Sequence, residues 1–116
     1  MTTWKWNDVE LEIDLEDVDF QERYEKAFEA MEEEEKDLKK IGKLSEITRA
    51  YCAMFYHLFD AIFGEGTGDK LLGGKLNSRV VDDCYESFLK HCKQEVVSMN
   101  KNRSARYQKY RVMSKR

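Results

Sequence analysis

Five of the six glycines in this 116-residue chain fall between Gly64 and Gly74, in "GEGTGDKLLGG", and there is no proline. Chain breakers are therefore confined to Gly42 and that one junction, and everything after about residue 17 is free to run as long helices. A hydrophobic fraction of 41% and a charged fraction of 37% suit a small, helix-rich soluble domain. At this length a single domain buries roughly two thirds of its unfolded surface.

The first fifteen residues read differently. "TWKW-ND-VELEIDL" alternates apolar and polar residues on either side of Asn7-Asp8, a pair suited to a tight turn with positive φ. A two-residue loop sets Trp6 opposite Val9, Lys5 opposite Glu10 and Trp4 opposite Leu11. Trp4, Trp6, Val9, Leu11, Ile13 and Leu15 then share one face, while Lys5 and Glu10 pair on the other. A lone hairpin is marginal, so its apolar face must lie on helices.

"DVDFQERYEKAFEAMEEEEKDLKKI" follows as helix, with Asp19 and Glu22 placed for a capping box. Phe20, Tyr24, Ala27, Phe28, Met31, Leu38 and Ile41 keep helical spacing, and Glu32–Lys36 and Glu35–Lys39 can pair on the solvated face. A second helix, about Glu46 to Phe63 with Ser45 as cap, is apolar round most of its circumference and belongs in the centre. Gly64 stops it, "TGDKLLGG" suits one short turn, and Asn77 or Ser78 caps a third long helix. That helix buries Val81, Cys84, Tyr85, Phe88, Cys92, Val96 and Met99. Beyond Met99 the segment is basic and polar, a frayed helix or a disordered tail that orders on a partner. The expected fold is mainly α (α+β): an N-terminal hairpin packed on a bundle of three long helices. Residues 1–100 form the domain and 101–116 the tail.

Sites with chemistry are scarce. A phosphate loop needs G-x-x-x-x-G-K-[ST] after a strand. Here Asp69 replaces the second glycine, Leu71 follows Lys70, and Glu65 and Asp69 repel phosphate. The glycines Gly64, Gly66, Gly68, Gly73 and Gly74 read instead as a helix-to-helix hinge. Cys84, His91 and Cys92 share a face with Cys52 and His57 nearby, but the tight C-x-x-C pairs of zinc sites are missing, so no metal is expected. Three cysteines without a visible secretion signal read as reduced, buried thiols in a cytoplasmic protein. Two histidines and scattered carboxylates give no catalytic constellation, so neither an enzyme nor a cofactor is expected.

Charge is unevenly spread behind a net value of −3. Residues 1–37 hold 15 acids against 4 bases, whereas Val96 to Arg116 holds seven bases and no acid. Such polarity implies either contact between copies or partners of opposite sign at each end. Lys101, Arg103, Arg106, Lys109 and Arg111 are the expected partner contacts, with Trp4 and Trp6 second, although core packing explains the tryptophans more simply. Tyr107 and Tyr110 among the cations could stack on nucleic acid, but the acidic balance of the whole chain argues against dedicated nucleic-acid binding.

The hairpin running into "EIDLEDVDFQERYEKA", together with "LFDAIFGEGTGDKLLGGK", Asn77 and the last amphipathic helix, resembles the tail assembly chaperones of phages and prophages of Gram-positive bacteria. The resemblance covers about residues 8–100 and does not extend to the tryptophan pair or the basic tail. It implies a small helical protein that coats the tape-measure protein and recruits tail-tube subunits. Two other readings stand beside it. One is a small phage inhibitor that occupies a host defence protein through the acidic half. The other is a nucleic-acid binder acting through residues 101–116. The first predicts oligomers and affinity for a long helical partner, and no membrane contact is expected.

Overall fold

The hairpin forms where the alternation places it. Strands β1 (Thr2–Trp6) and β2 (Val9–Ile13) pair antiparallel with Trp6 opposite Val9, Lys5 opposite Glu10 and Trp4 opposite Leu11. Asn7, at φ 53°, makes the turn, and Lys5 Nζ lies 3.4 Å from Glu10 Oε1 on the solvent side. The computed structural model describes the backbone of residues 1–114 and the side chains of residues 1–109. Within it the hairpin is followed by helices α1 (Val18–Leu38), α2 (Leu44–Phe63), α3 (Thr67–Leu72) and α4 (Ser78–Ser114), a mainly α architecture with a small β part.

Helix α1 starts earlier than its sequence suggests. Asp17, not Asp19, is the N-cap, and its carboxylate accepts from the Phe20 amide at 3.1 Å. Ile13 and Leu15 must both enter the core, so the chain turns tightly at Asp14–Asp17, and the first available acid caps the helix. The expected Glu32–Lys36 and Glu35–Lys39 pairs are replaced by Lys36–Glu33 at 2.9 Å and Lys40–Asp37 at 3.4 Å. The helix ends at Leu38, which takes Lys39 out of the regular i, i+4 row. Ser45 does not cap α2, which begins one residue before it without a side-chain cap.

Helix α2 is the centre of the molecule, as its apolar circumference requires. Cys52, Met54, Phe55, Leu58, Phe59 and Ile62 are all buried. Helix α1 packs along it, joined by Arg23 Nε donating to the Ile62 carbonyl at 3.3 Å and by His57 Nδ1 beside Glu34 at 3.0 Å. Helix α4 runs parallel to α2. The Tyr51 hydroxyl donates to Asp82, Phe55 meets Tyr85 at 4.8 Å, and Phe59 meets Phe88 edge-on at 5.6 Å, in the same order along both helices. Asn77 caps α4 by accepting from the Arg79 and Val80 amides.

Trp4 closes the core from the hairpin side. Its ring lies 5.9 Å from Phe59, 6.2 Å from Phe63 and 5.2 Å from Phe88, and its indole N–H donates to Ser87 Oγ at 3.1 Å. Each aromatic ring buried there stabilises the fold by about 1.5–3 kcal/mol of transfer free energy. The hairpin thus gains from the helices the support it lacks alone.

Candidate functional site

Helix α4 divides into two parts with opposite chemistry. Along the body, Val81, Cys84, Phe88, Cys92 and Met99 are buried. Every residue from Asn100 to Lys109 is exposed. With no glycine or proline after Ser78, nothing bends the helix between the two parts. The stretch from Met99 to Ser114 therefore projects about 22 Å as an arm, at 1.5 Å per residue. This accounts for a molecule 69 Å long but only 31 by 22 Å across. A free helix of that length would be marginal in water, but here the buried part of α4 supplies the nucleus and the arm only has to propagate.

Lys101, Arg103, Arg106 and Lys109 stand on this arm, exposed and without an ion pair among the described residues. At 100° per residue the four span about 200° of the helix, so the arm is cationic over a little more than half of its circumference. Tyr107, 69% exposed, is the large apolar side chain among them. The side chain of Arg111 lies outside the described residues.

At the root of the arm a shallow, mainly apolar groove of about 320 Å³ opens between α1 and α4, lined by Leu15, Tyr24, Leu89, Cys92, Val96 and Val97 with Lys93 as its one charged residue. Val96 was expected in the core but is 42% exposed, and Val97 is 59% exposed. The inward position belongs to Glu95, which shares the stripe Cys92–Glu95–Met99 and is only 5% exposed. Its carboxylate accepts from the Thr2 hydroxyl at 3.1 Å and the Leu15 amide at 3.5 Å, and Thr2 Oγ1 lies 2.6 Å from His91 Nε2. This cluster ties the hairpin to α4 just before the arm leaves the body. Sequence reading missed it, although the spacing of three from Cys92 and four to Met99 marks position 95 as inward-facing.

The remaining expected site residues are structural. Trp4, 3% exposed, is sealed in the core and closed to a partner, because the hairpin face that carries it is the face laid on the helices. Trp6 is half-buried, and its indole N–H is buried without an acceptor among the described residues. The glycine junction is strapped to α2. Gly64 ends α2 at φ 116°, and Gly66, Gly73 and Gly74 also take positive φ on either side of α3. Gly68 plays another part: its amide donates to Asp60 Oδ1 at 2.7 Å, and a Cβ there would stand 2.9 Å from the Tyr56 carbonyl oxygen. The Tyr56 hydroxyl in turn donates to the Lys75 carbonyl at 2.7 Å.

Cys52, Cys84 and Cys92 are free and buried, and burial pushes the thiols of Cys84 and Cys92 up to about 12, so they stay protonated. Among the described residues no three of His, Cys, Asp or Glu converge as metal ligands, and no helix is long and apolar enough to cross a membrane. What the arrangement offers chemically is contact: a cationic rod beside an open apolar groove.

The model of a family of unknown function, DUF6673, matches residues 7–116, spanning body and arm together. No curated protein and no solved structure matches the chain.

Proposed function

The chain belongs to that family, and we propose that it is a non-enzymatic protein-binding protein of phage tail assembly, a chaperone that shields the tape-measure protein and recruits tail-tube subunits in the bacterial cytoplasm. One observation carries the reading. Helix α4 presents exposed cations and an open, mainly apolar groove at adjoining positions, and among the described residues none of those cations is in an ion pair. An amphipathic helical segment has the complementary form, with an apolar stripe for Leu15, Tyr24, Leu89, Val96 and Val97 and an acidic flank for the arm. A tape-measure protein exposes long segments of this kind before assembly, and covering them keeps the chain from aggregating. The resemblance in the hairpin and the glycine junction points the same way.

Co-expression with the tape-measure protein of a phage or prophage encoding this chain tests the reading. It predicts that the tape-measure protein moves into the soluble fraction in complex with the chain, and that Val97→Glu in the groove reduces this. A tape-measure protein that aggregates equally with and without the chain would overturn it.

A second reading is favoured by α1. Glu22, Glu25, Glu29 and Glu32 stand exposed at spacings of three and four, without a cation partner among the described residues. A row of this kind suits an inhibitor that occupies the basic channel of a host defence protein. Stoichiometric, salt-sensitive binding to a nuclease or immune sensor would establish it in place of the first.

A further inference from the structure

The arm and the acidic face of α1 form a matched pair that one molecule cannot bring together. Val18, Glu22, Glu25, Glu29 and Glu32 follow one another at intervals of four, three, four and three, so they line a single stripe of α1, and all are exposed. From Glu22 to Glu32 the stripe runs about 15 Å, and from Lys101 to Lys109 the arm runs about 12 Å. Four carboxylates face outward on one element and four cations on the other, none of them in an ion pair among the described residues. Each row also carries an exposed apolar residue, Val18 at 60% and Tyr107 at 69%. Because α4 is continuous through Met99, its arm points away from the body and cannot fold back on its own α1.

We propose that the arm docks along the acidic face of α1 in a second copy of this chain. The geometry allows the exchange to be reciprocal. Helix α1 begins beside the root of the arm, since Leu15 and Tyr24 share the groove with Leu89 through Val97, and from there it runs back along the body. Two copies placed root to root in opposite directions each lay an arm on the other's α1. This is a two-fold contact in which Arg106 and Lys109 face the acidic row and Lys101 and Arg103 flank it on either side. Tyr24, the α1 residue lining the groove, lies about 140° round the helix from Glu29 at 100° per residue, so the docked arm leaves the groove open. The inference goes beyond the tail-assembly reading and does not depend on it, because it concerns the purified chain alone.

The test is sedimentation equilibrium of the full chain with two charge-reversed variants. One carries Lys101→Glu, Arg103→Glu, Arg106→Glu and Lys109→Glu; the other carries Glu22→Lys, Glu25→Lys, Glu29→Lys and Glu32→Lys. The unaltered chain should dimerise. Raising salt from about 0.1 M to about 1 M, which shortens the screening length from about 10 Å to about 3 Å, should weaken the association roughly tenfold or more. Each variant alone should be monomeric, with helical circular dichroism retained. Their equimolar mixture should restore a one-to-one dimer, because the reversed arm then meets the reversed face and the native arm the native face. A chain that is monomeric at low salt would overturn the proposal, as would variants that still self-associate or a mixture that stays monomeric.

Discussion

The body and the arm of this protein share one helix, α4, yet answer to different constraints. In the body, residues from distant parts of the sequence determine one another. Trp4 lies against Phe59, Phe63 and Phe88, Glu95 accepts from Thr2 and Leu15, and Gly68 is small because Tyr56 leaves it no room. In the arm, nothing from Asn100 to Lys109 is buried, and no cation there is paired among the described residues. The composition of the body's core is explained by its own packing. The arm's is not, and that contrast directs attention to a contact outside the molecule.

If the contrast is sound, perturbations of the body should unfold it and perturbations of the arm should leave stability alone. The largest effect is expected from alkali. Burial holds the Cys84 and Cys92 thiols near 12 against a usual value near 9. A pKa raised by folding stabilises the native state fully below the unfolded value and progressively less above it. Stability should therefore be steady up to about pH 9 and fall as pH climbs toward 12, in full-length protein and in a 1–100 truncation alike, as followed by urea denaturation. Phe88→Ala comes next, at about 3–5 kcal/mol, because it removes a ring packed by Trp4, Phe59, Phe63 and Tyr24. Gly68→Ala should cost about 1–3 kcal/mol, since its Cβ meets backbone atoms of Tyr56 that cannot swing aside. Asp17→Ala should cost about 1 kcal/mol through loss of the α1 cap. The smallest effect belongs to the arm: replacing Lys101, Arg103, Arg106 and Lys109 with alanine should shift stability by less than about 0.5 kcal/mol per substitution. A large loss there would mean that the arm packs on the body after all.

The sequence is most legible where several local signals coincide. Asn7-Asp8, the alternation around it and the Lys5–Glu10 pair each specify the same register, and the hairpin adopts it. Gly64 and Asn77 likewise mark the end of α2 and the start of α4 without help from the rest of the fold. What stays hidden depends on contacts between remote residues. Asp19 was as good a cap as Asp17 until Leu15 had to reach the core. Val96 and Glu95 are both compatible with helical spacing from Cys92, and hydropathy alone favours the valine. The hairpin decides otherwise, by bringing a hydroxyl and an amide to a carboxylate some 80 to 93 positions away. For the arm, the sequence shows its charge plainly but not its order. The apolar period lapses after Met99, while helix propagates to Ser114 on the nucleus that the buried part provides.

The central claim is that the arm exists for a partner and the body folds without it. Residues 1–100 keep every side chain that is buried among the described residues, so the full chain and a 1–100 truncation can be compared directly. The most direct measurement is affinity capture with both, in parallel, from nuclease-treated lysate of phage-induced cells, with bound proteins identified by mass spectrometry. The account predicts that the full chain retains a long, helix-rich tail protein and that the truncation loses it. Equal capture by the truncation, or recovery of a nuclease or immune sensor in place of a tail protein, would contradict it.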